Sequence, residues 1–285
     1  MSFGPNPWQQ TNWDWRAAGN FIGGGAGSGL IVFTAVAGVE GTAAAALLLV
    51  GLALVGLGLA CVWLELGRPL RALHVFFSPS TSWMTREAIA ATALFPVGVA
   101  AAAGAHLGVG AAAWPAALLA LAFVYCQGRM LQAARGITAW REPLTVALLI
   151  GTSLAEGAAL FWLLQPWHGQ GGMATALLFG LLLAVRAAIW LGYRQRLAGR
   201  AAGRAQRALD RAGRVLLVAG SVVPLALLLL AFGAGVASAA LAALAGLLAA
   251  AAGAYMKFTL ITRAGYNQGF AIKEAPVRGA RPFGG

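Results

Sequence analysis

Eight stretches of about 20 apolar residues, near 17–38, 43–65, 87–107, 113–133, 143–164, 172–193, 214–233 and 236–260, divide this chain, and each is long enough to cross a bilayer once as a helix. Lipid leaves no backbone polar group a water partner, so only helices and closed barrels span it. These runs lack the two-residue alternation of barrel strands. The expectation is an all-α integral membrane protein, a bundle of about eight transmembrane helices over 17–262, flanked by an interfacial segment 1–16 and a tail 263–285. Charged residues make up only 10% of the chain, against about a quarter in soluble domains.

Where the positive charge lies sets the expected orientation, because short loops rich in Lys and Arg stay cytoplasmic. Arg16 precedes the first run; Arg68 and Arg71 follow the second; Arg135 and Arg141 follow the fourth; arginines from 194 to 214 follow the sixth; Arg263, Lys273, Arg278 and Arg281 follow the eighth. The other four connections hold neither Lys nor Arg. Both termini are therefore expected in the cytoplasm. The net charge of +12 is spread between apolar runs, which points to anionic lipid headgroups and a soluble protein partner and argues against nucleic acid. The polar, tryptophan-rich start through Trp15 has no cleavable-signal pattern. The 194–214 stretch reads as an amphipathic helix with Leu197, Ala201, Ala205 and Ala208 on one side, a lipid anchor or a partner's docking surface.

Several features have structural readings. The glycines from Gly23 to Gly29 do not match a nucleotide-binding fingerprint and read as a groove for neighbouring helices. Cys61 and Cys126 are too few for an iron–sulfur cluster and read as small core residues. His74, His106 and His168 offer no facing pair for heme. Glu156 in the fifth run carries either a structural hydrogen bond or a proton path, in which Arg186 of the sixth run is a second candidate; Arg186 and Lys257 are otherwise expected to snorkel towards the cytoplasmic edge.

The densest set of polar groups lies between the second and third runs: Glu65, Arg68, Arg71, His74, Trp83, Arg86 and Glu87. A bland reading makes Glu87 part of a helix start and the arginines lipid contacts. The functional reading is a quinone site, which needs hydrogen-bond donors, a proton source and apolar walls.

Leu64-Glu65-Leu-Gly67-Arg68-Pro-Leu-Arg71-Ala-Leu, followed by Ser82-Trp-Met-Thr-Arg86-Glu87, resembles the signature between helices two and three in the membrane-anchor subunits of the dimethyl sulfoxide reductase and polysulfide reductase (NrfD-like) families. The start, Met1 to Gln10 with Asn12-Trp-Asp-Trp15, is similar to membrane subunits of phenylacetyl-CoA:acceptor oxidoreductases. The resemblance implies a subunit of the bacterial inner membrane that takes electrons from a four-cluster iron–sulfur subunit, itself joined to a molybdopterin catalytic subunit on the cytoplasmic face. It passes those electrons to ubiquinone or menaquinone and holds no heme or cluster of its own. Glu87 matches the motif and is the implied proton donor; Glu65 stands where many members have His. Arg68, Arg71 and His74 would orient the headgroup, and Trp83 would form a wall. Two other readings remain: a secondary transporter built on Glu156 and Arg186, and a structural anchor without a quinone site.

Overall fold

The computed structural model describes residues 7–64, 69–109, 113–233 and 238–269. Among them, eight helical segments are long and apolar enough to cross a membrane, so the chain is a multi-pass membrane protein. In chain order the helices are α1 (Trp15–Val36), α2 (Gly41–Trp63), α3 (Trp83–His106), α4 (Ala113–Ala133), the single turn α5 (Thr138–Arg141), α6 (Leu144–His168), α7 (Met173–Leu197), α8 (Gly203–Leu217), α9 (Val223–Gly233) and α10 (Ser238–Phe258). A 3-10 helix, Pro69–Phe77, lies between α2 and α3. A π-helical turn, Val218–Val222, fuses α8 and α9 into one span, and a second, Thr259–Arg263, extends α10.

Local chemistry explains the boundaries. Asp14 caps α1, accepting from the Arg16 amide at 2.8 Å. That pairing with Arg16 holds the Asp14 carboxyl below the ordinary carboxylate range. Ser82 caps α3, accepting from the Thr85 amide at 3.3 Å, so this helix starts one turn before the expected residue 87. Gly169, at φ +65°, closes α6 in the left-handed conformation that glycine adopts without strain. The arginine-rich stretch is helical for most of its length, as its pattern predicts. Leu197, Ala201, Ala205, Leu209, Ala212 and Leu216 are buried while Ala208 is only partly so, and Arg194 pairs with Asp210 at 2.5 Å.

The helices form two groups, α1–α4 and α6–α10, and α1 runs between them, packed on α2, α4, α6 and α10. The glycine groove makes this position possible. Cβ atoms added at Gly23 and Gly24 would lie 2.8 Å from the Leu54 carbonyl and 2.7 Å from the Gln127 amide; at Gly27 and Gly29 they would collide with the Gly51 and Ser153 carbonyls. Small residues thus face α2, α4 and α6 in turn, the close-approach packing that lipid-embedded helices favour.

The described chain ends meet at one end of the bundle. Gln10 N donates to Gly265 O at 2.8 Å and Asn267 N to Trp8 O at 3.0 Å. The π-turn after α10 leaves carbonyls outside the regular ladder, and side chains satisfy them: Trp140 Nε1 donates to Leu260 O at 2.8 Å and Gln9 Nε2 to Thr262 O at 2.5 Å. Trp13 stacks on Trp140 with centroids 5.1 Å apart. The described part of the tail is therefore an ordered arm; its residues from 270 lie outside the described set.

Candidate functional site

At that same end, between α2, the 3-10 helix and α3, lies a cavity of about 600 Å³. Gly56, Leu59 and Trp63 of α2, Leu73 and Phe76 of the 3-10 helix, and Met84, Ala91 and Phe95 of α3 supply apolar walls. Its polar lining side chains are Asn20, Glu87 and Thr92. The Thr92 hydroxyl donates within its own helix, to Ala88 O at 2.8 Å. Asn20 and Glu87 are left to give the cavity its chemistry.

Glu87 is 4% exposed. Its Oε1 accepts from Asn20 Nδ2 at 3.0 Å, and Gln127 Nε2 donates to the Asn20 backbone carbonyl at 3.1 Å. Asn20 Oδ1 is buried and unpartnered. Three helices therefore hold the carboxyl: α3 carries it, α1 donates to it, and α4 fixes the donor. The C-terminal end of the 3-10 helix and the turn after it are tied down too. Thr85 Oγ1 donates to Val75 O, while Arg86 donates from Nε to Pro79 O and from Nη2 to Ser80 O, both at 2.8 Å. At the mouth, the lining residues Trp63, Leu73 and Phe76 are 56%, 67% and 40% exposed, so the cavity meets the bundle surface through apolar side chains.

The structure distributes the candidate residues unevenly. Glu87 lines the cavity. His74 is exposed and packs edge-on against Phe77, centroids 5.5 Å apart, outside the lining. Trp83 leans towards α4, edge-on to Tyr125, with the Arg86 and Arg129 guanidinium groups 4.1 and 4.8 Å from its ring centre. The aromatic walls are instead Trp63, Phe76 and Phe95. Glu65 and Arg68 lie outside the described residues, as does the Arg71 side chain. Asn20 is the participant that sequence reasoning missed; the available signal was a carboxamide inside an apolar run, where a polar group needs a reason.

A second polar cluster lies away from the cavity. Glu156, Arg186 and Lys257 are at most 1% exposed, so the expectation that Arg186 and Lys257 snorkel is overturned. Lys257 Nζ donates to Glu156 Oε2 at 2.6 Å, and to Ser153 Oγ and Phe21 O at 3.0 Å. Arg186 donates to Ala249 O at 3.1 Å and to Gly220 O. Pro224 supplies no N–H for the carbonyl four residues back, and Arg186 takes that place. Each cation found acceptors within the bundle, which removes the reason to reach for water.

No protein-family model matches the chain, and no curated protein matches it.

Proposed function

We propose that this chain is the membrane-anchor and quinone-reducing subunit of an oxidoreductase complex of the bacterial cytoplasmic membrane. The observation that carries the reading is the cavity: its volume falls in the roughly 300–1,000 Å³ range of small-molecule sites, its walls are apolar, and a carboxyl hydrogen-bonded to a carboxamide stands at its polar side. The exposed apolar mouth suits a ring that arrives from lipid on an isoprenoid tail.

Reduction of a quinone consumes two electrons and two protons. Glu87 supplies one proton to the ring oxygen that approaches it and is reprotonated from solvent, which also supplies the second proton, to the other ring oxygen; the Asn20 amide keeps the carboxyl aimed at the cavity. The electrons come from a cytoplasmic iron–sulfur subunit, reduced in turn by a molybdopterin subunit, as the motif resemblance implies. The basic end of the bundle, with Arg141, Arg196, Arg200 and Arg263, is the docking face for that partner and for anionic lipid. A partner that oxidises phenylacetyl-CoA suits this face, since a CoA thioester is a cytoplasmic substrate.

Purification from native membranes in mild detergent tests the reading. The expected complex contains soluble iron–sulfur and molybdenum-bearing chains together with an isoprenoid quinone. A Gly56→Leu variant should keep the soluble chains and lose the quinone, because a Cβ there meets nothing nearer than the Phe95 ring at 3.5 Å and the rest of the side chain enters the cavity. A wild-type complex without quinone would leave a structural anchor; a chain that purifies alone would favour transport.

A further inference from the structure

The Glu156 cluster has an unbalanced charge inventory. Lys257 on α10 and Arg186 on α7 are cations, Glu156 on α6 is the carboxylate, and all three are at most 1% exposed. The remaining groups that face them are neutral: Ser153 on α6, the Phe21 carbonyl on α1, the Ala249 carbonyl on α10, and Ser221 and the Gly220 carbonyl on the π-turn. With every group ionised the cluster carries one uncompensated positive charge in the membrane interior, a costly state. Guanidinium does not give up its proton in proteins. The proton that can leave is on Lys257 Nζ, and its departure brings the cluster to neutrality.

Glycines pack closely around the pair. A Cβ at Gly25 would collide with Lys257 Nζ and Ser153 Oγ, and one at Gly253 would lie 2.6 Å from Glu156 Oε1. Glycine thus stands where α1 and α10 pass the lysine head and the carboxylate. Glu156 Oε1, the neighbouring Thr152 Oγ1 and Arg186 Nε are buried without partners, so hydrogen-bonding capacity remains for a moving proton or a bridging water.

We infer that Glu156 and Lys257 form a proton-exchanging pair within the membrane, linked through α1 to the Glu87 cavity. The link is the Asn20–Phe21 step: Asn20 donates to Glu87 and Phe21 accepts from Lys257. The exchange itself stands independently of any quinone; the role of the link, a proton held close to the reducing site, rests on the quinone reading. The proton leaves Nζ as the ammonium becomes an amine, passes to the nearest Glu156 carboxylate oxygen and from there to solvent, so that the carboxylate is regenerated and the cluster is neutral; a solvent proton returning by the same groups restores the ammonium.

The sequence makes a direct test practical, because it contains two lysines, Lys257 and Lys273. Isotope-labelled lysine in the full chain gives two side-chain nitrogen resonances, and Lys273→Arg assigns them. The measurement needs neither quinone nor partner, so its failure is distinct from failure of the cavity reading. In the wild-type chain the Nζ protons of Lys257 should exchange with heavy water within seconds despite complete burial; protons that persist for hours would overturn the exchange. In Glu156→Gln the Lys257 resonance should become that of a neutral amine, whereas an unchanged ammonium would show a static pair. Glu87→Gln should move the Lys257 resonance and leave Lys273 in place; a resonance that does not move would overturn the link to the cavity.

Discussion

Glu87 and Glu156 are both carboxyl groups inside membrane-spanning helices, 4% and 1% exposed, and they differ in what lies beside them. Glu87 has a neutral amide partner and a cavity of about 600 Å³. Glu156 has an ammonium at 2.6 Å, and α1 and α10 approach its pair through glycines. Burial alone therefore does not identify a site: the first carboxyl can meet a ligand, and the second can meet only protons and water.

The comparison predicts opposite responses to substitution. Lys257→Met leaves the Glu156 carboxylate buried without its ammonium, and breaking a buried pair from one side costs about 3–5 kcal/mol; the double variant Glu156→Leu/Lys257→Met should recover most of that loss, as read by unfolding in detergent. Gly29→Ala pushes a Cβ into the Ser153 carbonyl at the α1–α6 crossing and should cost about 1–3 kcal/mol, the range for overpacked cores. Gly56→Leu, beside the cavity, should leave stability within about 0.5 kcal/mol while quinone affinity, measured by titration, falls tenfold or more, about 1.4 kcal/mol. Equal destabilisation by the Gly29 and Gly56 variants would erase the distinction between a packed crossing and an open cavity. The smallest effect belongs to Asp14. Its carboxyl is lowered from 3.8 by Arg16, so its cap of α1 persists above that value and is lost as pH falls through the lowered one. Circular dichroism on acidification should show that step in the wild type and lack it in Asp14→Asn.

Much of the fold was legible because each span carries its own signal. The apolar runs mark the eight crossings to within about four residues, except that the seventh begins at Gly203 instead of 214 because the arginine-rich helix runs on into it, and the glycines of α1 identified a packing groove. The third span begins early because Ser82, a cap, precedes Trp83, a local cue that the apolar count ignores. The pairing of Glu156 with Lys257 was not legible: the two lie 101 positions apart, and each alone suggested a different fate. Asn20 carries no charge and so raised no alarm in an apolar helix. The cavity is a void between three elements, and no stretch of sequence contains it. Trp83 illustrates the same limit, since its position beside Glu87 in the chain does not reveal that Arg86 and Arg129 draw its ring towards α4.

The central claim is that Glu87 is the proton donor of a quinone-reducing cavity. Glu87→Gln preserves shape and the contact with Asn20 but removes the acid. In the intact complex, quinone reduction by the variant should fall by about 10²–10⁴-fold, the usual worth of a positioned acid, with quinone still bound. Turnover at the wild-type rate would contradict the account.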